Sequence, residues 1–206
     1  AIWSGEPIPF DADIPIAMGW NLIPYYPKYE LSVTVPDFFA ISQIAEHVII
    51  LKDERGRFSS PSFNFSNLDL LSEGKAYKIR TSADVVLNYP EPEEDVAGMQ
   101  IEPIFDNSEP SVLSSENMSV LVKSISGLDL AGDLRIGAYN SDDEIVGFGS
   151  INKDGQCGLA IWGDDSSTEA VEGLKDNEPF ELRLIDNQSI QSGLRISFIQ
   201  SDDLVY

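Results

Sequence analysis

One cysteine and one histidine stand among 206 residues, and that scarcity removes most common chemistries at once. Cys157 alone can form no intrachain disulfide, so the fold must rest on its core rather than on staples, whatever the compartment. His47 is the only base a Ser-His-Asp or Cys-His device has to recruit, and no nucleophile motif accompanies it. Read structurally, His47 is a partnered or surface residue at the head of an apolar strand, and Cys157, beside Gly158, is a small buried apolar residue. Phosphate loops, dinucleotide fingerprints and zinc spacings are absent. No apolar run approaches the ~18 residues of a membrane span. The opening AIWSGEPIPF lacks the basic and apolar regions of a leader, as expected of a mature chain whose targeting segment is gone. Basic residues are also few, 13 against 35 acidic, for a formal net charge of −22. Such a charge disfavours nucleic acid and anionic membrane as partners and suits cations or salty surroundings.

What is present argues for a packed, mostly β protein. Apolar residues make up 42% of the chain, with three Trp and ten Phe, enough for one large core or two modest ones. The segment Pro90-Glu91-Pro92-Glu93-Glu94-Asp95 joins prolines to like charges and marks a domain edge. Residues 1–95 hold 15 acidic and 7 basic groups; residues 96–206 hold 20 and 6. The reading is a small α+β module over 1–95, a linker over 96–110 and an antiparallel β-sandwich, immunoglobulin-like or jelly-roll-like, over 111–206.

In the first module WNLIPYY after Gly19 reads as an aromatic strand ending at Pro27, followed by the alternating LSVTV. Pro36 and Asp37 then open a helix with Phe38, Ile41, Ile44 and Ala45 on one face. HVIILKD from His47 reads as a buried strand, with Glu54-Arg55-Gly56-Arg57 as its turn. Ser66 or Asn67 caps a short helix through Leu70 and Leu71, which Gly74 ends. KAYKIRT and DVVLNY close the module as a hairpin through Ser82-Ala83. In the second module six strands recur, NMSVLVKSI, DLRIGAYN, EIVGFGSI, CGLAIWG, PFELRLID and LRISFIQ, with period-two alternation and turns at Ser141-Asp142-Asp143 and Asp154-Gly155.

The densest signal is the stretch Leu159 to Glu181, where an apolar strand ends on Trp162 and a long acidic loop follows. Hard cations take six to eight oxygens, and Asp142, Asp143, Glu144, Asp164, Asp165 and Glu172 lie in strand connections, which makes calcium a candidate although the EF-hand spacing is absent. The alternative is that Asp164 and Asp165 accept hydrogen bonds from loop N–H groups while Thr168 closes an internal turn. Paired carboxylates are too common in so acidic a chain to indicate a glycosidase. Sugar-binding sandwiches use aromatic rings as platforms, and Trp162 beside its carboxylates has that composition, as does the cluster of Trp20, Tyr25, Tyr26 and Tyr29. Tyr25, Tyr26, Tyr139 and Trp162 are therefore the candidate ligand-binding residues, against a core role for Trp162.

Both halves also carry a resemblance. In the second the residues are Gly132-Asp133, Ile136-Gly137-Ala138-Tyr139, Val146-Gly147, Ile161 to Asp165 with Thr168, Gly173-Leu174, and Glu178 with Phe180 and Leu182. These resemble a β-rich module that recurs in large secreted multidomain surface proteins of Bacteroidetes-type bacteria, the cargo of type IX-like secretion, and in structural proteins of marine phages. Gly19 to Ile23, Val48 to Lys52 with Gly56, Pro61, and Gly74 with Tyr77 resemble a module that often accompanies it. The resemblance implies a non-catalytic repeat unit, and the expected role is structural, adhesive or attachment on a cell or virion surface, with other modules as partners and glycans as the candidate ligands of the aromatic residues. A carbohydrate-binding appendage to an enzyme and a phage decoration or fibre protein are the alternatives.

Overall fold

The computed structural model describes residues 5–6, 8–92, 114, 116–125, 127, 133–165, 167–186 and 190–191. The chain divides into two compact units, Ala1–Ile104 and Phe105–Tyr206; the expected linker at 96–110 lies outside the described residues. Both units are mostly β and antiparallel throughout their named strands. No helix among the described residues is long and apolar enough to cross a membrane.

The first unit contains β1 (Ile14–Ile16), β2 (Gly19–Pro24), β3 (Leu31–Ser32), β4 (Val48–Lys52), β5 (Phe58–Ser60), β6 (Phe65–Ser66), β7 (Leu70–Leu71), β8 (Ala76–Thr81) and β9 (Val85–Leu87). Its main sheet has the order β2-β8-β4-β5-β6, while β1 pairs with β9 and β3 with β7. Side chains alternate across a strand, so Ile23 and Tyr77, Ile79 and Leu51 turn inward to a core shared with Ile16, Leu31, Ile41, Leu68 and Leu87.

Three expectations change here. The helix from Pro36 is a 3-10 helix over Phe39–His47, because Phe38 lies in the left-handed region at φ 47 and the first bond runs from the Ile41 N–H to the Phe38 carbonyl. Its apolar face is the expected one, with Ala40, Ile41 and Ile44 buried. Leu70 and Leu71 form β7 rather than a capped helix, since Asn67 turns its side-chain oxygen to the Phe58 N–H at 2.7 Å and ties the segment to β5. Finally, β8 does not fold onto β9. Ser82 N–H instead donates to the His47 carbonyl and Asp84 accepts the Met18 N–H, so the chain leaves the main sheet and pairs with β1.

The second unit contains β10 (Asn117–Val122), β11 (Arg135–Tyr139), β12 (Ile145–Ser150), β13 (Cys157–Trp162), β14 (Glu181–Ile185) and β15 (Ile190–Gln191) in one sheet of order β10-β13-β12-β11-β14-β15. All six residues of β13 are buried, so both faces of the sheet are covered around it, as in a sandwich core. The expected strand from Leu194 lies outside the described residues.

One turn device serves three hairpins. Asp53, Asn140 and Asn152 each turn a side-chain oxygen to the N–H groups two and four residues on, at 2.8–3.1 Å. The residue three positions on takes positive φ: Gly56 at 78, Asp143 at 66 and Gly155 at 73. The side-chain oxygen stands in for a missing main-chain partner, which fixes the loop length and hence the register of both strands.

Tyrosines tie down the ends of the first unit. The hydroxyls of Tyr25, Tyr26, Tyr29 and Tyr89 donate to the carbonyls of Tyr29, Ala12, Pro90 and Pro24 at 2.6–3.0 Å. Tyr25 and Tyr26 pack edge-on against Tyr89, with ring centroids 4.7 and 5.6 Å apart. Burial, reinforced by neighbouring phenols, pushes the Tyr25 and Tyr89 hydroxyls well above their ordinary value. The folded state therefore holds them neutral, whereas the unfolded chain ionises them near pH ~10. Their contribution is complete below that pH and is lost as pH rises toward the folded value. We expect the urea midpoint to fall steadily above pH ~10, and Tyr89→Phe to lose stability at neutral pH but show a shallower alkaline slope. Parallel alkaline slopes for the two proteins would contradict this.

Candidate functional site

The residues that looked most like a site in the sequence are absorbed into the fold. Trp162 is 3% exposed at the end of β13, Tyr25 1% and Tyr139 7%. Tyr26 is half-buried with its hydroxyl spent on Ala12. Tyr25, Tyr139 and Trp162 are buried in their units, whereas Tyr26 lines an open pocket with Ile8, Pro9, Phe10, Pro27, Lys28, Tyr29 and Glu73. The Tyr139 ring is covered by the Arg183 guanidinium, 4.4 Å from its centroid.

Several of the acidic side chains likewise serve neighbours. Asp143 forms an ion pair with Arg183, which also bonds Glu181 at 3.0 Å. That contact explains why an aspartate occupies the left-handed position filled by glycine in the two sister turns. Asp142 turns its N–H to Asn140, and Glu144 accepts from the Asn140 amide at 3.1 Å. In the long loop Asp164 accepts the Glu172 N–H at 3.1 Å, and Asp165 accepts both the N–H and the hydroxyl of Ser167. Thr168 N–H donates to the Asp165 carbonyl at 3.0 Å, and its hydroxyl bonds Glu172. The loop is thus internally bonded, and no three His, Cys, Asp or Glu side chains among the described residues gather to hold a metal ion. Cys157 is fully buried, and burial pushes its thiol up to about 12. His47 stays partly exposed beside Glu46, 3.7 Å away.

Among the described residues, an apolar and cationic surface lies exposed on the outer face of β2 and β8. Pairing places Trp20 beside Arg80, Leu22 beside Lys78, and Lys78 beside Lys52. Trp20 is 50% exposed and Leu22 68%, with Met18 exposed just before them. Lys52 reaches back across β8 to set its ammonium 5.9 Å from the Trp20 ring centroid, while only 7% of the residue is exposed. The cation therefore underlies one side of the indole, an attractive arrangement for the ring quadrupole. No acidic residue occurs in β2, β4 or β8, although acidic residues outnumber basic ones 35 to 13 in the chain.

The entry to β2 is rigidly held. Asn21 exchanges bonds with Ala17 through both ends of its amide at 2.7 and 3.2 Å, Thr81 donates to the Ala17 carbonyl, and Asp84 receives the Met18 N–H at 2.7 Å. Trp20 thus projects from a corner fixed at three points. The alternation that turns Trp20, Leu22, Lys78 and Arg80 outward is visible in GWNLIP and AYKIRT. Their adjacency is not, because it depends on β8 lying between β2 and β4. Compared with family models, curated proteins and solved structures, the chain matches none.

Gly173 locks the acidic loop to β13. Leu174 N–H donates to the Trp162 carbonyl and Asp164 N–H to the Leu174 carbonyl, which brings two backbones together. A Cβ on Gly173 would lie 2.4 Å from the Trp162 carbonyl oxygen and 2.7 Å from that of Gly163. Gly173→Ala is expected to cost about 2–3 kcal/mol in denaturant unfolding of the second unit, through forced backbone displacement. A change below about 0.5 kcal/mol, the range of ordinary surface substitutions, would show that the loop is not pinned there.

Proposed function

We propose that this protein is a non-enzymatic surface module, extracellular on a cell or exposed on a virion, that attaches or positions a larger assembly. The observation that carries the reading is the exposed outer face of β2 and β8, a rigid sheet edge presenting Trp20 and Leu22 beside Lys78 and Arg80. Trp and Arg are enriched where proteins make contacts, and a preorganised face binds with little ordering cost. Two compact units, each with its own core, fit modular use within a longer assembly, with other modules as partners. The polar side chains that sequence alone offers for chemistry have structural occupations: tyrosine hydroxyls on main-chain carbonyls and loop carboxylates on N–H groups. The acidic surface keeps like-charged neighbours apart and preserves solubility.

The reading is tested with antibody against the purified chain applied to intact producing cells or particles. Labelling without lysis is expected. Label that appears only after lysis would contradict it.

A further inference from the structure

We propose that the open edge of β2 pairs antiparallel with β2 of a second copy of this chain, through the main-chain groups of Trp20 and Leu22. The proposal rests on reading the β2-β8 surface as a contact surface and names the partner that it contacts.

The direction of the main-chain groups carries the argument. Strand β2 ends the order β2-β8-β4-β5-β6, so only one of its two sides is paired. In an antiparallel ladder the N–H and carbonyl of one residue point to the same side, and successive residues point to opposite sides. Tyr25, just past β2, donates its N–H to the Lys75 carbonyl at 2.9 Å and accepts the Gly74 N–H at 3.1 Å. Tyr25 therefore faces the β8 side, and the unbroken register from Gly19 to Pro24 extends that parity to Ile23, Asn21 and Gly19. Trp20, Leu22 and Pro24 face away from the sheet. Pro24 fits this position, since proline has no N–H to donate and is confined to such edges. Its carbonyl already accepts the Tyr89 hydroxyl at 2.9 Å. At the other end the Met18 N–H is taken by Asp84. Between these stops, the outward N–H and carbonyl groups of Trp20 and Leu22 bond no other group among the described residues. Both residues are well exposed, at 50% and 68%.

A second copy of β2 meets these groups one for one. With the two-fold axis at Asn21, Trp20 lies opposite Leu22 of the second copy, and Leu22 opposite its Trp20. Each opposed pair exchanges two N–H···O bonds, so the open groups of both strands are all satisfied. Past each pair comes Pro24 or the corner at Met18, so the ladder stops where the open groups stop. The same register sets the exposed side chains of Trp20 and Leu22 side by side as apolar cross-strand neighbours.

Charge also selects this edge for contact between copies. Two chains of net charge −22 repel each other, but β2, β4 and β8 carry no carboxylate. Repulsion between remoter groups is screened beyond about 8 Å at physiological ionic strength. The contact is much shorter than the roughly 20–30 residues a side of a standard interface, so the pair is reversible. Tethered modules meet at effective concentrations on the order of millimolar, where a reversible contact of this kind becomes populated.

The test uses the full chain. Sedimentation equilibrium is followed from about 10 μM to about 1 mM, the range of a reversible contact, for wild type, Leu22→Lys and Trp20→Ala. Both side chains are exposed, and an unchanged melting temperature at low concentration checks that the variants fold. Wild type is expected to dimerise across this range, and each variant to raise the dissociation constant about tenfold. Register is read by cross-linking. Trp20→Cys and Leu22→Cys are made singly, with the native thiol of Cys157 buried, and are oxidised alone and mixed. Directly opposed residues of a hydrogen-bonded pair stand about 5.5 Å apart, within disulfide reach, whereas diagonal neighbours stand about 7–8 Å apart, beyond it. The thiols are diagonal in each single variant and opposed in the mixture, so mixed disulfide dimers are expected to dominate over self-linked ones. A wild type that stays monomeric up to about 1 mM overturns the pairing and leaves the edge to a strand of another protein, while labelling of intact cells or particles still decides the surface-module reading. Dimers unchanged by Leu22→Lys, or single variants that self-link as readily as the mixture, place the contact elsewhere and overturn the pairing too.

Discussion

A β-strand can bury only every second side chain, and strand β8 is where that constraint organises the first unit. Tyr77, Ile79 and Thr81 point inward at 3%, 0% and 1% exposure, so Lys78 and Arg80 must point out. Because β8 lies between β2 and β4, its register also decides which residues stand beside those cations, namely Trp20, Leu22, Ile50 and Lys52. Sliding β8 by one residue would turn Lys78 and Arg80 into the core and Ile79 into water. A buried, unpaired charge costs several kcal/mol, so the register is fixed by what cannot be buried as much as by what is.

The same economy of polar groups recurs across the chain. Polar side chains that could have built a site instead replace missing main-chain partners: asparagine and aspartate in three hairpins, phenols at the ends of the first unit, and carboxylates in the acidic loop. Asp143 shows both uses at one position. It takes the left-handed conformation that glycine takes in the sister turns, and its carboxylate reaches across to Arg183. The buried Tyr139 ring beneath Arg183 is held by that ion pair from above.

The period-two strands were legible because their pattern is local. GWNLIP, VIILK, AYKIRT and the five strands from Asn117 to Ile185 all appear within a few residues of their expected positions. The two- and three-residue strands β1, β6 and β7 were not, since a period cannot be read in so few residues; Leu70-Leu71 looked helical for that reason. Strand order was also hidden. KAYKIRT and DVVLNY are adjacent in sequence and read as a hairpin, yet a tether from Ser82 to His47 and one from Asp84 to Met18 send them to different sheets. The surroundings of the candidate aromatic residues were hidden for a related reason. Trp162 drew attention because carboxylates follow it in sequence, but it closes a strand that is buried on both faces. Trp20 gained its cations from strands that lie 30 and more residues away along the chain, which no local pattern reveals.

The central claim is that the first unit shows an apolar and cationic sheet face to solvent while the acidic loop of the second keeps its aromatic residue inside. Hydroxyl-radical footprinting of the intact chain, read by mass spectrometry residue by residue, measures this directly. Fast oxidation is expected at Met18, Trp20 and Leu22, with Trp162, Tyr25 and Tyr89 protected until the chain unfolds. Oxidation of Trp162 as fast as that of Trp20 would contradict the account.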